Sequence, residues 1–227
     1  MEHIKLLEEI KNEKLIKDFI LVGGTALSVQ LHHRESSDLD FIYFVKNKKK
    51  GYMLNRILIN KIIDNFKRNG KKVIMMEYSD AEIFEFAEVG EDIKDVHQNY
   101  MVDNVKISFF VSPDLTNDNI LDECKPIIDK NLRIADINTL SRQKINLLVQ
   151  RNKIRDYFDV YYLLKNNYIS KQMILDELKM AFSINNLLYN INRIDKFKDD
   201  EGFRMLSNTK INIKTIKKYF KTLFYNE

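Results

Sequence analysis

The sequence predicts an α+β protein: a mixed sheet with flanking helices, followed by a bundle of helices. Three observations predict it. Short apolar runs rich in Val, Ile and Phe alternate with amphipathic stretches up to about residue 112. Beyond that point nearly every stretch has helical spacing. Six glycines and two prolines in 227 residues leave few breakers, which favours helix.

Taken in order, Leu6, Leu7, Ile10, Lys14 and Ile16 recur at the spacing of a short amphipathic helix. "DFILVGG" reads as a buried strand running into a glycine turn, "TALSVQLHH" as a helix starting there, and "SDLDFIYFV" as a second strand. After the basic loop "KNKKKG", Met53 to Phe66 has helical spacing, closed by the glycine of "KRNG". "KKVIMMEY" and "VKISFFV" read as strands, and "AEIFEFAE" as a weaker one. In the second half, "INTLSRQKINLLVQ", "RDYFDVYYLLKNN", "SKQMILDELKMAF" and "NIKTIKKYFKTLF" read as helices, with one strand near "LRIAD". The expected boundary separates an α/β domain, residues 1–112, from a helical domain, residues 113–227, that contributes to the active-site cleft.

A net charge of +4 permits an acidic partner without demanding one. Cys124 is the lone cysteine, so neither an intramolecular disulfide nor a thiolate metal site can form. The charged N-terminal stretch does not read as a secretory signal, and no apolar stretch approaches the ~18 residues needed to span a bilayer. The expectation is a cytoplasmic protein with no membrane partner.

The chemistry centres on "SDLDF". In a strand, residues two apart share a face, so Asp38 and Asp40 project together, separated by ~7 Å of strand rise. Two carboxylates on one face repel each other, and divalent cations relieve that repulsion. Two ions ~3.5–4 Å apart can activate an attacking hydroxyl and stabilise a leaving pyrophosphate. On its own, Asp-x-Asp is better explained by a solvated strand end. "GGT" between strand and helix adds a second element: Gly23 and Gly24 would let backbone amides approach a phosphate at a helix N-terminus, with Thr25 adding a hydroxyl donor.

"GGTALSVQLHHRESSDLDF" resembles the signature of the AbiEii-type nucleotidyltransferase toxins, within the polymerase-β-like nucleotidyltransferase superfamily. Gly23, Gly24, Thr25, Leu27, His33, Arg34, Ser36, Asp38, Leu39, Asp40 and Phe41 carry the likeness. "KINLLVQRNKIRDYFDVYYLL" is similar to the family's later motifs, a lysine, then an arginine, then an Arg/Lys-Asp-x-x-Asp helix. The resemblance implies a nucleotidyltransferase-type sheet. It further implies transfer of a nucleoside monophosphate from a nucleoside triphosphate to an acceptor hydroxyl, with RNA such as a tRNA 3′ end as the leading acceptor. It implies two Mg²⁺ ions on Asp38 and Asp40, nucleotide contacts from Gly23, Gly24, Thr25 and Arg34, and triphosphate contacts from Lys144 and Arg151. Asp156 is implied as an essential acid, one that orients Lys144 or Arg151 in place of touching metal. A type IV toxin–antitoxin or phage-defence role follows, with a cognate antitoxin as partner.

On one continuous helix, Lys144, Leu148, Arg151, Arg155 and Asp159 would form a stripe, provided "RNK" does not interrupt it. Ser108 of "VKISFF" stands where the superfamily often has a third carboxylate; Asp103 or Glu77 are the candidate substitutes. This departure keeps two alternatives open: an impaired nucleotide- or RNA-binding protein, and protein nucleotidylation. His33 in its loop reads more readily as a surface residue than as one that positions Arg34 or a phosphate, and His97 has no evident partner. Tyr157, Tyr161 and Tyr162 read as core aromatics more readily than as a base-stacking platform.

Overall fold

In the computed structural model the described residues are 2–44, 53–112, 115–181, 184–198 and 211–225. The basic loop at 46–51 lies outside them. The chain forms two units: Met1–Leu27 with Ser37–Asp136, and Ser28–Ser36 with Ile137–Glu227.

The first unit is built on a seven-stranded mixed sheet of order β3-β4-β5-β2-β1-β7-β6. Its strands are β1 (Phe19–Val22), β2 (Leu39–Tyr43), β3 (Val73–Met75), β4 (His97–Val102), β5 (Val105–Val111), β6 (Ile127–Asp129) and β7 (Leu132–Ile134). Its helices are α1 (Glu2–Lys11), α3 (Arg56–Arg68), α4 (Asp80–Glu88) and α5 (Leu115–Asp122), and α2 (Gly23–Leu31) starts in this unit, its residues from Ser28 on belonging to the second. Strand β2 is central, antiparallel to β1 and parallel to β5. Alternation sends Leu39 and Phe41 to the face where Phe19, Phe41 and Phe109 pack ring against ring. Leu6, Leu7 and Ile10 of α1, and Ile59, Ile62 and Phe66 of α3, are buried as amphipathic spacing requires. Asn55 caps α3, its side-chain oxygen accepting from Leu58 N.

Three expectations change. "AEIFEFAE" is not a strand: it lies in α4, opened by a capping box in which Ser79 and Glu82 bond reciprocally. That local hydrogen bonding outweighs the alternation of Ile83 and Phe84 with carboxylates. His97 heads β4, a strand that polar "HQNYMV" conceals, because half of its side chains point away from the core. The boundary between units falls at Asp136 and not after residue 112, since β7 pairs with β1 and β6 with β7, which ties residues 127–134 to the sheet.

The second unit holds α6 (Ile137–Gln150), α7 (Ile154–Lys165), α8 (Lys171–Ala181), α9 (Ile184–Arg193) and α10 (Ile213–Tyr225). Tyr157 is buried against Phe197 and Phe220, and its hydroxyl donates to Leu148 O at 2.8 Å. Tyr161 packs edge-on to Tyr219 of α10. These tyrosines are therefore core. The basic terminal helix likewise buries Ile216 and Phe220. Among the described residues no helix is long and apolar enough to cross a membrane.

Candidate active site

The sheet unit holds the paired acids. Asp38 immediately precedes β2 and Asp40 lies within it, both partly exposed. Gly23 begins α2 with φ +73°, in the left-handed region that glycine adopts at no steric cost. A Cβ at Gly23 would stand 2.7 Å from Asp40 Oδ2, so the turn has room for that carboxylate only because the residue is glycine. Gly24 is not among the positive-φ residues, so one glycine of the pair is demanded by backbone conformation and the other is not. Thr25 is buried, and its hydroxyl donates to the carbonyl of Asp38. That bond tethers the first turn of α2 to the acid-bearing segment.

Register explains what surrounds Asp40. Asp40 pairs with Ser108 on β5, and Ser108 with Asn99 on β4, so the three side chains stand in a row about 5 Å apart on one face. Ser108 thus occupies the position beside Asp40 itself, and it is buried. Neither proposed substitute for a third acid reaches that row. Asp103 sits in the β4–β5 turn, with φ +52°, accepting from Lys72 N and pairing with Lys71. Glu77 follows the edge strand β3, three strand positions from β2. Among the described residues no three His, Cys, Asp or Glu side chains are grouped to hold a metal.

The second motif folds differently from a single stripe. Residues 151–153 do interrupt the helix, so Lys144 lies on α6 while Asp156 and Asp159 lie on α7. They meet across the α6–α7 packing. Lys144 Nζ donates to Asp156 Oδ1 at 2.7 Å and lies 2.9 Å from Asp159 Oδ2. Arg151 reaches Asp156 through Nε at 2.8 Å and Nη2 at 3.0 Å. Arg34, from the Ser28–Ser36 segment of the same unit, clamps Asp159 in bidentate fashion at 2.6 and 2.8 Å.

His33 completes the cluster. Its Nε2 donates to Asp159 Oδ1 at 2.8 Å, and its ring lies parallel to Phe158. It is buried, contrary to the surface position expected of a loop histidine. The central acid, Asp159, was legible as one member of a stripe and as the second acid of the Asp-x-x-Asp motif, not as the centre of a cluster. The available signal is the three-residue spacing of Asp156 and Asp159, which sets both carboxylates on one side of α7.

Burial by itself would push both acids toward the neutral form. For Asp159, Lys144 and Arg34 more than offset that cost and hold its carboxyl well below the usual carboxylate range. For Asp156, Lys144 and Arg151 do the same to a lesser degree. Arg34, Lys144, Asp156 and Asp159 have side chains 4% exposed or less, whereas Arg151 is 41% exposed. Lys144 and Arg34, expected on phosphates, are thus engaged with buried carboxylates, and Asp156 orients both Lys144 and Arg151.

Residues 5–220 match the family model described as the nucleotidyl transferase AbiEii toxin of type IV toxin–antitoxin systems. The chain belongs to the AbiEii family. A solved structure, JHP933 from Helicobacter pylori, is similar in fold, with a TM-score of 0.52 and 16% identity over 98% of this chain and 88% of that one. A second H. pylori protein, put forward as a nucleotidyltransferase, gives a TM-score of 0.50 and 19% identity over 98% and 94%. An uncharacterized protein of Aquifex aeolicus (strain VF5) is 24% identical over 166 residues, 73% of this chain and 67% of its own length. Membership of the AbiEii family makes nucleotidyl transfer the general activity.

Proposed function

We propose that this AbiEii-family protein transfers a nucleoside monophosphate from a nucleoside triphosphate to a hydroxyl of RNA, a tRNA 3′ end being the first acceptor to test. The observation that carries the reading is the close approach of Gly23 to the Asp40 carboxylate. It brings the first turn of α2 and the Asp40 carboxylate to one place, with the Asp38 backbone tethered to that turn by Thr25.

Two partly exposed carboxylates suit Mg²⁺, which completes its shell with water and substrate phosphates. Asp38 and Asp40 would hold such ions, and bound there they would supply charge neutralisation at the transferring phosphoryl group. The chain's own residues do the rest. The acceptor oxygen bonds to the α-phosphorus as the bond to the β-phosphate oxygen breaks. Pyrophosphate leaves with that electron pair, and the hydroxyl proton passes to water. The first-turn amides of α2 orient phosphate oxygens, and the tether from Thr25 to Asp38 keeps the acids in register with them. Within the helical unit, Arg34, His33, Lys144 and Asp156 are positioning residues around Asp159. Arg151 is the cation of that cluster exposed enough for a phosphate oxygen to reach.

The family description also supports a toxin role in which a cognate antitoxin opposes the activity. Ser108 beside Asp40 favours one second reading, a protein that binds nucleotide without efficient transfer. The test is incubation with each α-labelled nucleoside triphosphate, Mg²⁺ and total tRNA, for the native chain and for Asp40→Ala. Label entering RNA only with the native chain is the expected result. Transfer that survives the substitution refutes the mechanism, and nucleotide binding without transfer to any acceptor supports the second reading. A nuclease-resistant label on protein would move the acceptor to a polypeptide.

A further inference from the structure

Helix α4 has no buried residue along its nine positions. It nonetheless carries Ile83, Phe84, Phe86 and Ala87, with Val89 directly after it. Phe84 is 63% exposed and Val89 70%, and Ile83 is also exposed. At helical spacing Ile83, Phe84 and Ala87 share one side, since they stand three and four residues apart, while the half-buried Phe86 lies away from that stripe. A nine-residue helix this short gains little from propensity alone and ordinarily depends on packing of its apolar side. Here a capping box opens it, the turn at Ile93–Asp95 packs against it, and its apolar stripe is turned outward. Strand β3, four residues upstream, adds exposed Ile74 and Met75 at the sheet edge.

Charge identifies the occupant. Between Glu77 and Asp95 the chain has eight acidic residues and a single basic one, Lys94, in a protein whose net charge is +4. Glu85 and Glu88 lie beside the apolar stripe on α4, and both are exposed. Phosphates of RNA or of an anionic lipid surface are repelled by such a segment. A partner that buries Phe84 and Ile83 while pairing with these carboxylates must itself carry apolar and cationic side chains together. We propose that α4 is a docking surface for a basic, amphipathic segment of a partner protein, laid along the Ile83–Phe84–Ala87 stripe with its lysines or arginines against Glu85 and Glu88. This is the helix-in-groove and charge-matching logic of peptide recognition. It does not rest on the transfer reaction.

The test uses the full chain and two synthetic 18-residue helical peptides, one of Leu and Lys, the other of Leu and Glu. Affinity is measured by fluorescence anisotropy for the native protein, for Phe84→Ser and for the double variant Glu85→Lys/Glu88→Lys. Because Phe84, Glu85 and Glu88 are exposed, these variants keep the fold, which circular dichroism verifies. The Leu/Lys peptide is expected to bind the native chain at least ten times more tightly than either variant and to weaken as salt rises. The Leu/Glu peptide is expected not to bind. Equal affinity across the three proteins, or equal binding of the two peptides, overturns the proposal. A native dimer in solution that becomes a monomer in Phe84→Ser also overturns it, by assigning the stripe to a second copy of the chain.

Discussion

Replacing Asp159 by alanine tests the reading of the helical unit most directly. The carboxylate is fully buried and accepts from Arg34 twice, from His33 and from Lys144. Removing it takes that carboxylate from three donor side chains inside the protein, of which Lys144 keeps a second, that of Asp156. Deleting one partner of a buried ion pair costs about 3–5 kcal/mol, because the remaining charge stays desolvated. For a protein of this size each kcal/mol lowers Tm by roughly 2–4 °C, so a fall of about 6–20 °C is expected. The chain has no tryptophan, so urea unfolding is best followed by far-ultraviolet circular dichroism. Asp159→Asn should recover little, since a neutral amide cannot balance the guanidinium and ammonium. On an Arg34→Ala background Asp159→Ala should cost less, as residues sharing one network are not additive. A loss below about 1 kcal/mol, the level of an exposed ion pair, would refute the assignment of Asp159 as the centre of a desolvated cluster.

Gly23→Ala forces a side chain into left-handed backbone and against Asp40 Oδ2; a destabilisation of about 1–2 kcal/mol is expected from the backbone alone. Nucleotidyl transfer should fall at least tenfold, read with labelled triphosphate, whereas Gly24→Ala should be milder because that residue has no positive φ; equal effects would contradict the geometry. Stability should also depend on acid in a defined window. Asp156 and Asp159 have folded values depressed below the ordinary 3.8, so their contribution is fully present above about pH 4 and is lost as pH falls further, toward their folded values. Urea midpoints measured from pH 7 to pH 2.5 should therefore hold steady at the upper end and drop below pH 4, and the drop should shrink in Asp159→Asn.

Much of the fold was legible because it is written in short-range pattern. "FILV" and "LDFIYF" are apolar enough to be central strands, and α1, α3, α6, α7, α8 and α10 show the spacing of a buried stripe. What escaped was structure with weak or mixed patterning. β4 alternates polar and apolar residues too gently to stand out, α9 went unassigned, and α4 mimics a strand until Ser79 and Glu82 cap it. The site divides in the same way. Asp38 and Asp40 were recognisable from their spacing. Asp159 was not recognisable as a centre, because its four contacts come from residues up to 126 positions away.

Local chemistry thus sufficed to place a glycine before a helix, two acids one residue apart at the start of a strand, and a lysine ahead of an Asp-x-x-Asp helix. Those features depend on backbone preferences and side-chain periods that act over a few residues. Only tertiary structure decided that Gly23 closes on Asp40, that Ser108 stands beside it, and that Lys144 and Arg34 face buried carboxylates. Strand register and helix packing set which distant groups become neighbours, and burial sets how strongly their charges act on one another; neither is encoded within a short stretch of chain.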